Sequence, residues 1–256
     1  MITSVSNKQM KNLMKLQKSS RTRREQGLFI IEGIRMFEEV PKDRLDQVYV
    51  TEAFYEKNRG LFEKRRPDAF LAENVMEKIS ETKTPQGVLA TVKMQEYEVA
   101  DLLKENQDPL FLVLENLQDP GNLGTILRTG EGAGVDGIIM SRDTVDIYNP
   151  KVVRSTMGAL FRMPFCYVAD LEGTIGQLKE RNIRIYAAHL EGDGFYEKDY
   201  RSGCAFLIGN EGNGLSDSIT SLADEKIRIP MKGKVESLNA AIAATLMVYE
   251  ALRQRL

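Results

Sequence analysis

The stretch Ile229-Pro-Met-Lys-Gly-Lys-Val-Glu-Ser-Leu-Asn-Ala-Ala-Ile-Ala-Ala, ending at Ala244, decides how the second half of this chain reads. It enters as the end of a strand, Lys226–Ile229, and stops at Pro230, which cannot donate to a sheet ladder. A short loop around Gly233 follows, then a helix running nearly to the C-terminus with Ser237 as its N-cap. The first amides of such a helix lack intrahelical partners, so a strand–loop–helix is a common way of holding a ligand against backbone N–H groups. Taken alone, the same pattern also describes a core strand followed by a terminal amphipathic helix.

Two motifs lie upstream. Phe111-Leu-Val-Leu-Glu-Asn-Leu-Gln-Asp-Pro-Gly-Asn-Leu-Gly-Thr-Ile-Leu-Arg-Thr-Gly, ending at Gly130, reads as a buried strand, a polar turn and a helix capped by Asn122. Cys204-Ala-Phe-Leu-Ile-Gly-Asn-Glu-Gly-Asn-Gly-Leu, ending at Leu215, is a buried strand that empties into a glycine-rich loop. From Leu110 onward the strand candidates Phe111–Leu114, Gly137–Met140, Ile183–Ala188, Ala205–Ile208 and Lys226–Ile229 are short and almost wholly apolar. Runs of that kind suit a parallel sheet covered on both faces, and the helices Thr125–Gly132 and Leu171–Glu180 supply cover.

The N-terminal part alternates strands (Leu28–Glu32, Gln47–Thr51, Ala69–Leu71, Gly87–Lys93) with helices (Asn7–Leu16, Gly33–Val40, Asn74–Ser80), which predicts a smaller α/β domain. Between Lys93 and Pro109 the chain turns polar and charged, so a junction belongs there. The expected division is 1–105 for the first domain with its linker and 106–256 for the second, and 256 residues can bury two such cores.

Composition narrows the class. Cys166 and Cys204 both sit in apolar strand contexts, as expected for buried reduced thiols in a cytoplasmic protein. With one histidine and two separated cysteines, a structural zinc site is not expected, and no apolar run approaches a membrane span. Net charge is only −2, yet Met1 to Arg24 carries Lys8, Lys11, Lys15, Lys18, Arg21, Arg23 and Arg24 with no acidic residue. Such a basic arm neutralises phosphates; a solvated helix face or an import signal has the same composition.

Two familiar signatures fail on context. Gly132-Ala-Gly-Val-Asp-Gly137 matches GxGxxG, but it follows a helix and precedes a strand, the reverse of a dinucleotide site, so its glycines end a helix. No G-x-S-x-G elbow accompanies His189, which reads as a structural histidine.

In order and spacing, the three motifs resemble the SpoU/TrmH family of RNA ribose 2′-O-methyltransferases in detail from Leu110 to the C-terminus. Phe29-Ile-Ile-Glu-Gly-Ile-Arg and Thr84-Pro-Gln-Gly-Val-Leu-Ala resemble that family's substrate-binding domain. The resemblance implies a C-terminal α/β domain with a parallel sheet and a deep trefoil knot, a smaller N-terminal RNA-binding α/β domain, and a homodimer. It implies S-adenosyl-L-methionine as cofactor and no metal.

By the same resemblance, Asn122, Arg128, Glu211, Ser237 and Asn239 fall on catalytic positions. Gly209, Ile229, Met231 and Leu238 fall where the family's loops surround the cofactor. Read from the residues alone, Arg128 points away from the apolar face of its helix and is a solvated arginine or a ligand contact. Likewise Glu211 is a turn carboxylate or a site residue, and Ser237 and Asn239 are an N-cap and a first-turn residue. The expected substrate is ribosomal RNA, at a guanosine of the large-subunit 23S rRNA. The alternatives are a tRNA 2′-O-methyltransferase and an inactive RNA-binding or ribosome-assembly protein.

Overall fold

The computed structural model describes residues 1–63, 65–103 and 107–256; the expected boundary at 105/106 lies outside the described residues. The chain forms two compact units, Met1–Gln95 with Asp146–Phe161, and Glu96–Val145 with Arg162–Leu256.

The first unit contains helices α1 (Lys8–Lys18) and α2 (Ser20–Gln26), strand β1 (Leu28–Glu32), helix α3 (Ile34–Glu39) and strand β2 (Leu45–Thr51). Helix α4 (Glu52–Lys57), strand β3 (Ala69–Leu71), helix α5 (Glu73–Ile79) and strand β4 (Val88–Lys93) complete its first stretch. Its sheet has the order β1-β4-β2-β3, with β4 antiparallel to both neighbours and β2 parallel to β3. The two N-terminal motifs meet at one end of this sheet, where the Gln86 side-chain oxygen accepts the Ile34 amide at 2.8 Å. Gly33, just before it, has φ +93°, a left-handed conformation that a side chain disfavours.

The basic segment is not a detachable arm. Met10, Leu13 and Leu16 of α1 are buried in a cluster with Ile30, Tyr49, Leu71 and Leu89. Arg23 is 3% exposed; its guanidinium donates to the carbonyls of Leu16 and Gln17 and pairs with Asp146 at 2.5 Å. It therefore fastens the α1–α2 corner and is unavailable to a nucleic acid. Arg21 pairs with Glu25, one residue beyond the acid-free stretch. Lys8, Lys11, Lys15 and Lys18 stay exposed.

The second unit contains α6 (Val99–Leu102), β5 (Leu110–Leu114), α7 (Pro120–Gly132) and β6 (Gly137–Ser141). Helix α8 (Pro150–Thr156) belongs to the first unit, although its sequence lies inside the span expected for the second domain. The second unit resumes with β7 (Phe165–Val168), α9 (Leu171–Glu180), β8 (Arg184–Gly194), β9 (Cys204–Ile208), α10 (Asp217–Ser221), β10 (Glu225–Arg228) and α11 (Ala240–Arg255). Every pairing in its sheet is parallel, in the order β10-β8-β9-β5-β6-β7, as the unbroken apolar runs predict. Phe111, Val113, Ile139, Ile185, Ala205 and Leu207 share one buried cluster with Ile175 and Leu178 of α9.

Both cysteines are buried and unpaired, and burial pushes the Cys166 thiol up to about 12. No described helix is long and apolar enough to cross a membrane. His189 lies within β8, which continues beyond it to Gly194, and accepts the Glu191 amide through Nδ1.

Candidate functional site

The chain visits β5, β6 and β7 in one direction across the sheet, then returns to the other side of β5 for β8 and β9. At such a reversal the loops leaving adjacent strands diverge and open a crevice beyond their carboxyl ends. Strands β5 and β9 flank it, in register from Leu110 opposite Cys204 to Leu114 opposite Ile208.

Two helix caps differ from those expected. Helix α7 begins at Pro120, not near Leu123, and its N-cap is Asp119, whose Oδ1 accepts the Asn122 amide at 2.7 Å. The Asp–Pro pair carries that signal in sequence, since proline suits the first helical position where no amide bond is lost. Asn122 therefore sits inside the first turn, 8% exposed, with its side chain free for other work. At the other terminus, Asn239 rather than Ser237 caps α11; its Oδ1 accepts the amides of Ala241 and Ile242 at 2.9 and 3.3 Å.

Those side chains join the three motifs. Asn122 Nδ2 donates to Glu211 Oε1 at 3.0 Å, and Asn239 Nδ2 donates to Asn122 Oδ1 at 2.8 Å. The orientation of both amides is forced: an ionised carboxylate only accepts, so Asn122 must present Nδ2 to Glu211 and Oδ1 to Asn239. Glu211 also accepts the backbone amides of Asp119 at 2.9 Å and Gln118 at 3.0 Å. Burial raises its carboxyl, but the bonds from Asn122, Gln118, Asp119 and its own amide outweigh this and hold it below the ordinary 4.5. With the folded value depressed, the stabilisation is complete above the ordinary value and is lost only as pH falls through the depressed one.

The remaining expected residues stand outside this network. Arg128 is exposed, and neither its side chain nor that of exposed Ser237 bonds to another described residue. Six residues of helix separate Arg128 from Asn122 by about 120° around the axis and ~9 Å along it. Gly209 is a glycine for a local reason: a Cβ there would lie 2.1 Å from the Gly214 carbonyl carbon, where the loop folds back on itself. Ile229, Met231 and Leu238 are half-buried in the β10–α11 loop, and among the described residues the amides of 231–238 form no backbone hydrogen bond.

Sequence reasoning passed over Asp119 and the amide of Gln118, which Glu211 grips. It also passed over Glu115 and Asn210. Asn210 Nδ2 donates to the Asn116 carbonyl at 2.8 Å, and its Oδ1 accepts the amides of Gly212 and Asn213. Only the polar turn letters in both loops hinted at them.

Asn239→Ala removes both the cap of α11 and the donor to Asn122, and is expected to cost about 1–2 kcal/mol. Asn239→Asp keeps the capping oxygen but faces the Asn122 carbonyl oxygen with another acceptor, so it should fall between wild type and alanine. Thermal melting checks the order; an unchanged midpoint in both variants would show that the junction adds nothing to stability.

The sequence profile of the SpoU rRNA Methylase family matches residues 109–249, and with them every residue of the network. The chain belongs to that family. An MRM3-like substrate binding domain matches residues 7–90. A Synechocystis protein named as an uncharacterized tRNA/rRNA methyltransferase is 33% identical, covering 99% of this chain and 94% of its own. The Bacillus subtilis 23S rRNA (guanosine(2553)-2′-O)-methyltransferase RlmP is 30% identical, over 97% of each chain. The SpoU methyltransferase AviRb of Streptomyces viridochromogenes, solved with the cofactor AdoMet, superposes with a TM-score of 0.88 at 28% identity, covering 97% of this chain and 98% of its own. Likeness at this level extends over both units and accounts for the parallel sheet of the SpoU fold in the second.

Proposed function

We propose that this SpoU-family enzyme methylates the ribose 2′-OH of one guanosine in large-subunit 23S rRNA, with S-adenosylmethionine as donor, in the cytoplasm. The observation that carries the reading is the Glu211–Asn122–Asn239 relay, which ties the three motifs of the family into one structure. The substrate class is supported by RlmP, which aligns with both units of the chain.

The residues present fit the donor. Unpaired amides at 231–238 and half-buried Ile229, Met231 and Leu238 offer the N–H groups and apolar slot that an adenosine needs, with Gly209 at the facing loop. Bound there, the sulfonium supplies an electrophilic methyl group. Glu211, Asn122 and Asn239 fix the loops that border it. Arg128 anchors the phosphate beside the target ribose and stabilises charge as the hydroxyl is activated; a guanidinium holds its proton too firmly to act as a base, so anchoring is its chemistry. Ser237, exposed in the β10–α11 loop, is free to contact the substrate.

The reading includes the deep trefoil knot and a homodimer. On α11, Ile242 and Tyr249 are 52% and 44% exposed, and with half-buried Leu246 they form a stripe about 60° wide. Helix α7 packs beside it: Thr245 Oγ1 lies 3.1 Å from Thr129 Oγ1, and a Cβ on Gly132 would lie 3.2 Å from the Tyr249 hydroxyl. The exposed face of α7, Gly121, Thr125, Arg128 and Gly132, thus adjoins the stripe, and Arg128 reaches a site completed by the second copy. Light scattering should show a dimer for the wild type and a monomer for the Ile242→Glu, Tyr249→Glu pair; a monomeric, active wild type would sink the proposal.

The activity is tested by supplying labelled S-adenosylmethionine with 23S rRNA and with tRNA, then mapping the methylated ribose. Incorporation at one guanosine of 23S rRNA is expected. Incorporation into tRNA alone, or binding of RNA with no transfer, would overturn the substrate or the activity respectively.

A further inference from the structure

The β5 and β9 loops grip each other twice, and only one of the two grips belongs to the relay. In the first, Glu211 at the start of the β9 loop accepts the amides of Gln118 and Asp119 in the β5 loop. The second runs the opposite way: half-buried Glu115, just past β5, accepts the Ser216 amide at 2.7 Å through Oε2 and the Ser216 hydroxyl at 2.6 Å through Oε1. The Ser216 hydroxyl oxygen is also the N-cap acceptor of α10, taking the Ile219 amide at 3.3 Å. The 209–216 loop is therefore pinned near its start by Glu211 and Asn210, and at its end by Glu115. Between the pins, Asn210 and Gly214 exchange backbone hydrogen bonds at 3.0 and 2.9 Å. Gly209 is packed against the Gly214 carbonyl, so movement at the Ser216 end passes directly to the backbone at Gly209.

We propose that Glu115 is a positioning residue that sets the affinity of this enzyme for S-adenosylmethionine by holding the far end of the 209–216 loop. The inference rests on the reading of Gly209 as part of the donor site. Glu115 bonds to the loop and not to the relay, so its loss affects how the donor is held and not the chemistry at Arg128. A carboxylate suits the task because it takes two donors from one residue, and such charge-assisted bonds are the stronger kind.

The test uses the full chain. Glu115→Ala should weaken S-adenosylmethionine binding by calorimetry about tenfold or more and raise its KM alike, with kcat at saturating donor and KM for rRNA within about twofold. Hydrogen exchange should quicken at the amides of 214–219 and stay unchanged in the β5–β6 pair. Glu115→Gln keeps one acceptor for the Ser216 amide and a donor for its hydroxyl oxygen, so it should recover most of the lost affinity. Ser216→Ala, which removes only the hydroxyl arm, should show a smaller loss and keeps the test open if Glu115→Ala does not fold. An unchanged donor affinity in Glu115→Ala, a fall in kcat without a change in KM, or a Gln variant as poor as Ala overturns the inference. Failure of the wild type to bind S-adenosylmethionine would overturn the proposed function instead.

Discussion

Arg128→Ala is expected to lower methyl transfer to rRNA by about 100- to 1,000-fold while S-adenosylmethionine affinity stays within about twofold. The argument starts from what Arg128 does not do in the folded chain. It is exposed on α7 and bonds to no described residue, so its truncation creates no cavity and strands no charge. Alanine is at least as good a helix former, and the melting midpoint should hold. Any loss is then a loss at the reaction, where a charged fork toward a phosphate is worth far more than on the surface. Arg128→Lys keeps the charge but not the fork and should recover only part of the rate.

The proposed dimer sharpens this test. If Arg128 completes the site of its partner, mixing Arg128→Ala with Glu211→Gln gives hybrids in which one of two composite sites has both residues. Random reassociation makes half the dimers hybrid, so about a quarter of wild-type activity should return. No recovery would place Arg128 and Glu211 in the same protomer's site, and near-normal turnover by Arg128→Ala alone would remove Arg128 from the mechanism.

The parts of the fold visible in sequence are those that a local pattern determines. The apolar runs at Phe111–Leu114 and Ala205–Ile208 are strands because a sheet buried on both faces accepts nothing else there, and both are found within a residue of the expected bounds. β7, Phe165–Val168, shows in sequence only as the apolar strand context of Cys166, because it is four residues long and only half of them are buried. β8 extends through the mostly exposed stretch His189 to Asp193 because its later part pairs with β10 across a register shift between Lys226 and Ile227. No periodicity announces such a continuation.

The site divides along the same line. Asn122, Glu211 and Asn239 stand out in sequence only through the family resemblance, and their mutual bonding spans 89 and 117 residues and exists only once β5 and β9 lie side by side. At the start of α11 the sequence offers two good capping residues, Ser237 and Asn239, so the cap position is open there. It is settled by where α11 can begin while Asn239 still reaches Asn122.

The other large expected effect lies at the opposite end of the chain. Lys8, Lys11, Lys15 and Lys18 recur every three or four residues, which places them in a stripe about 80° wide on α1, opposite buried Met10, Leu13 and Leu16. None of the four pairs with a described carboxylate, so their charge is uncancelled locally. A rigid row of ammonium groups has the charge and spacing to meet RNA phosphates, and it lies within the residues that match a substrate binding domain. If all four contact RNA, changing them together to glutamine should lower the slope of log affinity against log salt by about 3, at 0.7–0.9 per contact. S-adenosylmethionine binding should be untouched, because its proposed residues belong to the second unit.

Deleting the segment would confuse this result, since it also strips Met10, Leu13 and Leu16 from the core. The informative control is Arg23→Ala, which leaves Asp146 without its partner and should destabilise the first unit by about 3–5 kcal/mol. At temperatures where that variant stays folded, its salt slope should match the wild type. A quadruple glutamine variant with an unchanged slope would mean that the lysines only solvate α1, and that RNA is held elsewhere on the first unit.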